Sequence, residues 1–165
     1  MAETVECRGI RVNFSGVTET GKPPARQIAN RLINSRRSEW AGSDNTAARA
    51  AAAACDHLYR ELSRWVGPDG CHALFTRALA QGQTESPALG QIQLHVRSEP
   101  YIDGVAATIV AHGDAATAEA LESMLAHLIE LLGRLIGDDM AIKLIERSLV
   151  PERGGAASDD RREEA

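Results

Sequence analysis

The stretch "FSGVTETGKPPARQI", residues 14–28, sets Gly16, Gly21 and Lys22 at the spacing of a phosphate-binding loop. In such a loop, backbone N–H groups cradle phosphates and the lysine reaches the terminal ones. A hydroxyl just after the lysine ligates magnesium. Here that position is Pro23, and Pro24 follows. Proline brings neither a hydroxyl nor an N–H, so the donors that should meet phosphate are missing. No apolar run ending in Asp stands ready to hold the metal. A nucleotide site through Lys22 is therefore the second of two alternatives to the main reading.

The first alternative is His127. It lies on a long helical pattern, just off the apolar stripe and beside Glu130. A phosphorelay or docking module would carry its acceptor histidine on such a helix. The other histidines, His57, His72, His95 and His112, are scattered. Cys55 with His57, and Cys71 with His72, are one or two residues apart, where helical side chains diverge. No metal and no cofactor are expected from this spacing. "GDD" at 137–139 reads as a turn between helices, with Asp138 as an N-cap. Gly-x-Ser-x-Gly is absent, and the residue types weigh against an enzyme.

The elements that would carry these residues are mostly helical. The 165-residue chain is 44% hydrophobic but only 4% aromatic, so Leu, Ile, Val and Ala must fill its core. That favours close-packed helices in one domain. Over 114–136, Leu121, Met124, Leu125, Leu128, Leu131, Leu132 and Leu135 recur at three and four residues. Asp114 is expected to cap this helix. Gly137–Asp138 breaks it, and the next helix turns Met140, Ala141, Leu144, Ile145 and Leu149 inward until Pro151 ends it.

Upstream, Ala51, Cys55, Leu58, Leu62 and Trp65 share one helix face, and "GPDG" at 67–70 makes a turn. A further helix carries Cys71, Leu74, Phe75, Ala78 and Leu79, closed by Gly82 to Pro87. A short helix behind Pro24 carries Ile28, Leu32 and Ile33. Residues 91–97 and 9–14 both alternate and could pair as strands. The expected architecture is mainly α: a compact bundle of five or six helices over 24–150, with room for one two-stranded element. Residues 1–23 read as an extended segment and 151–165 as a disordered tail.

Residues 55–149, through "CDHLYRELSRWVGPDGCHALFTRALAQ" and "ALESMLAHLIELLGRLIGDDMAIKLI", resemble a group of small bacterial helical proteins. The resemblance implies a compact helical domain and carries no activity or site residue.

A net charge of −5 disfavours nucleic acid, although Arg26, Arg31, Arg36 and Arg37 cluster. No apolar run suits a membrane, and three widely spaced cysteines suit a reducing cytoplasm. The main reading is a non-enzymatic cytoplasmic interaction or regulatory protein. It acts through helix packing, as a homodimer or with a protein partner. The candidate interface is Leu121, Leu125, Leu128, Ile129, Leu132 and Ile136, because so wide a stripe exceeds one neighbour's reach.

Overall fold

The computed structural model describes residues 24–37, 42 and 46–149. Six helices follow one another: α1 (Ala25–Arg37), α2 (Thr46–Val66), α3 (Pro68–Glu85), α4 (Val105–His112), α5 (Asp114–Ile136) and α6 (Asp138–Leu149). Between α3 and α4 lie a 3-10 turn (Pro87–Gln91) and two short strands, β1 (Gln93–Leu94) and β2 (Ile102–Asp103). The mainly α bundle with one small two-stranded sheet is the architecture expected from the periodicity.

The helix α5 is the centre, and all five other helices pack on it. Its buried residues include Ala120, Leu121, Met124, Leu125, Ala126, Leu128, Ile129, Leu131 and Leu132. At 3.6 residues per turn these cover roughly two thirds of its circumference. A helix apolar over so wide an arc needs neighbours on several sides. The first half of α2 is buried through small residues: Ala48, Ala50, Ala51 and Ala54 are all at most 1% exposed. Without long side chains at the contact, the backbones can approach closely.

Direction is set by three contacts. Asp114, at the start of α5, accepts the Ala48 N–H at 2.9 Å and the Ala47 N–H at 3.3 Å, at the start of α2. Thus α2 and α5 run parallel from adjacent ends. The His57 ring then reaches the Ser148 carbonyl, 2.7 Å from Nε2. A carbonyl only accepts, so Nε2 carries the proton. Further along α2, Leu62 and Trp65 stand beside Leu144 and Arg147. As α2 advances from 57 to 65, α6 recedes from 148 to 144, so α6 is antiparallel to both.

Asp114 corrects its expected role. It caps the neighbouring helix α2 instead of its own, which starts at Gly113 with no side-chain cap. Gly137 likewise stands at the junction of α5 and α6, and Asp138 is the first residue of α6, folded over Gly133. Three apolar residues also leave their expected place. Trp65 is 61% exposed, Leu135 66% and Met140 54%. On α6 the buried line is Ala141, Ile145 and Ser148. Met140 falls roughly 100° around the helix from Ala141, and half-buried Leu144 roughly 60°.

The alternating stretch 91–97 does contain a strand. β1 pairs antiparallel with β2, Gln93 opposite Asp103 and Leu94 opposite Ile102. The other alternating stretch, 9–14, lies outside the described residues. Gly104 ends this hairpin at a φ of 84°, and a Cβ there would run into the Gln91 carbonyl. Both facts demand glycine.

Asp114→Ala should cost about 1–2 kcal/mol, since two orphan amides at the α2 terminus lose their acceptor. Urea unfolding measures it. A stability equal to wild type would show that Asp114 does not cap α2.

Candidate functional site

His127 projects from α5 toward the end of α3, and its side chain is only 19% exposed. Nε2 lies 3.1 Å from Glu85 Oε2, and Nδ1 lies 4.0 Å from Glu130 Oε2. The Glu85 contact is close yet bent, so buried Nε2 lacks a well-aligned hydrogen bond. The Ser123 hydroxyl donates to the same Glu85 oxygen at 3.0 Å. The His127 ring at 3.1 Å, followed by the hydrogen bond from Ser123, holds the Glu85 carboxyl below its ordinary value.

This trio has the residue types of a nucleophile relay but not its order. Ser123 gives its proton to the carboxylate, where a relay would have it face the imidazole. A phosphoryl group approaching His127 would meet two carboxylates and a buried Nε2. The arrangement ties the end of α3 to α5. The other sequence candidates, Gly16 and Lys22, lie outside the described residues.

The interface candidates separate. Leu121, Leu125, Leu128, Ile129 and Leu132 are at most 4% exposed within the single chain, where they form the core. They are therefore corrected to core residues, and only Ile136, 39% exposed, can meet a partner in this fold. Its company is Trp65, Val66, Leu135 and Met140, all exposed. Because α2 and α5 run parallel, and α6 returns from Gly137, the residues that carry these five side chains all lie toward one end of the bundle. The Arg147 guanidinium stands 5.9 Å from the Trp65 ring centroid, within cation–π range. A helical wheel finds Trp65 and Leu135 on the correct face. It cannot show that the face runs past the last neighbour.

A second feature escaped the sequence reading. A cleft of about 550 Å³ opens between α2 and the loop joining β1 to β2. Asp56, Tyr59, Arg60 and Ser63 supply one wall, spaced so that they share a face of α2. The opposite wall is Arg97 to Tyr101. The floor is aromatic: the Tyr59 and Tyr101 rings stack at 3.6 Å and 6°, and Phe75 meets Tyr101 edge-on at 5.2 Å.

Asp56 anchors the loop by accepting the Ile102 N–H at 3.0 Å. Burial raises its carboxyl above the ordinary range, against the lowering effect of the Ile102 and Tyr101 amides. Arg97 is held at a φ of 59°, a conformation that costs a non-glycine residue energy. Two ion pairs fasten the mouth: Arg60 to Glu99 and Arg97 to Asp69, each at 3.6 Å and largely exposed. Such pairs contribute about 0–1 kcal/mol, so the fastening is weak. The four α2 residues were visible as a polar face, but the facing wall requires the hairpin to be placed.

Burial pushes the Cys71 thiol up to about 11, and that of Cys55 well above its usual value. Both are poor nucleophiles. No group of three His, Cys, Asp or Glu among the described residues is placed to hold a metal. No described helix is long and apolar enough to cross a membrane.

The lowered Glu85 value has a sign. Its contribution is present above the unfolded carboxylate value of 4.5 and is lost as pH falls through the folded value. Wild type should melt above Glu85→Gln at pH 6, and the gap should narrow as pH falls below 4.5. A gap independent of pH, read by thermal melts, would remove the ionised Glu85 from the account. No protein-family description, curated protein or solved structure matches this chain.

Proposed function

We propose that this protein is a non-enzymatic interaction or regulatory protein of the bacterial cytoplasm, and that it works as a homodimer through its apolar end. The observation that carries this reading is that Trp65, Val66, Leu135, Ile136 and Met140 are all exposed and all lie on the residues where α2 and α5 end and α6 begins. Monomeric proteins rarely leave large apolar side chains contiguous in water, and such patches mark interfaces. The patch holds the tryptophan and methionine typical of interface centres, with a neighbouring arginine, Arg147.

A second copy is the partner of choice because the rim is charged in both signs. Glu61, Arg64 and Arg147 line the groove between α2 and α6 beside Trp65. A two-fold axis brings one surface against itself, so each charge can find its opposite on the other copy. The cytoplasmic assignment draws support from Cys55 and Cys71, which are free thiols inside the core. The phosphorelay reading gains no support from His127, whose ring nitrogens face carboxylates. The nucleotide reading through Lys22 rests on the sequence alone.

Sedimentation velocity at tens of micromolar tests the proposal. A dimer is expected, and Met140→Glu should convert it to a folded monomer. Leu128→Asp should instead abolish folding, because Leu128 is wholly buried inside one chain. A clean monomer for wild type, or a dimer indifferent to Met140→Glu, would overturn the reading.

A further inference from the structure

We propose that the cleft between α2 and the β1–β2 loop binds a short zwitterionic peptide, a dipeptide with one large apolar side chain. The cleft is distinct from the apolar end, and the proposal stands without the homodimer.

The lining selects this chemistry. Asp56 marks the hairpin end of the cleft, where it also borders the neighbouring groove beside Ile102 and Val105. Arg60 lies one turn further along α2, about 6 Å in rise. Arg97 lies toward α3, where it reaches Asp69. Asp56 thus stands at one end and two guanidiniums stand toward the other, where the Glu99 carboxylate of the same lining is paired to Arg60. A simple anion would meet Asp56, and a simple cation would meet both arginines. A molecule with an ammonium at one end and a carboxylate at the other satisfies both. An extended dipeptide spans about 7 Å between its ends, close to the offset of Asp56 from Arg60.

The remaining surface suits the body of such a ligand. Tyr101, Pro68 and Pro100 give apolar walls, and about 550 Å³ is within the usual range for a small-molecule site. Tyr59 lines the cleft at 8% exposure, and its buried hydroxyl has no hydrogen-bond partner among the described residues. The arginines can respond to a ligand carboxylate, because their present partners stand at 3.6 Å. That is longer than a charge-assisted hydrogen bond of about 2.7–2.9 Å.

Isothermal titration of the full chain with the dipeptide Gly-Phe, its N-acetyl form and its C-terminal amide provides the test. Saturable binding is expected for the free dipeptide, and each blocked form should bind roughly tenfold more weakly. Asp56→Asn keeps an acceptor for the Ile102 amide and should erase only the preference for the free amine. Arg60→Gln should weaken only the preference for the free carboxylate. That split cannot arise from simple loss of folding. The proposal is overturned by no saturable binding to wild type, by blocked forms binding as well as the free dipeptide, or by both preferences surviving in both variants.

Discussion

The burial of α5 over roughly two thirds of its circumference is the constraint on which the bundle depends. A stripe on one side could be satisfied by a single partner. An arc that runs from Ala120 through Leu121 and Leu128 to Ala126 cannot. It requires α1, α2, α3, α4 and α6 to surround one helix, and all five do. The cost of leaving part of that arc in water, about 25 cal/mol per Å² of apolar surface, makes the arrangement cooperative. Each outer helix is held chiefly by the side of α5 that it covers.

Polar contacts then choose among the ways of surrounding α5. Apolar burial has no direction, whereas a hydrogen bond does. The Asp114 carboxylate places the first turns of α2 and α5 side by side, and so makes them parallel. His57 on the Ser148 carbonyl sets the height of α6 against α2. Asp56 on the Ile102 amide draws the hairpin onto the outer face of α2. The last contact creates the cleft, because it holds the 97–101 loop over Tyr59 and Arg60. The apolar end follows from the first two. Parallel α2 and α5 finish together, and the turn to α6 starts there, so the overrun of three stripes accumulates in one place.

Much of this was legible beforehand in particular residues. The 114–136 pattern, the break at Gly137 and the inward line of Cys71, Phe75, Ala78 and Leu79 follow from spacing, and the structure contains them. Trp65, Leu135 and Met140 were not legible as exposed. Helical periodicity reports the angle of a side chain about its axis, and says nothing about how far the neighbour extends along it. Asp114 was visible as a cap, but not as the cap of another helix. Leu121 and its four companions read equally well as core or interface, since an apolar side chain looks the same in either place.

The sequence by itself determined five of the six described helices, all but α4 (Val105–His112), and that α5 must be the most enclosed of them. These are consequences of backbone propensity and of local pattern, which act over a few residues. Only the tertiary structure decided which carboxylate caps which helix, which apolar residues stay outside, and what faces Asp56 and Arg60 across a cleft. Asp114 and Ala48 are 66 residues apart in the chain, and Asp56 and Ile102 are 46 apart. No local preference spans such distances. They are joined because α5 must be covered on every apolar side, and covering it brings remote polar groups within reach of one another.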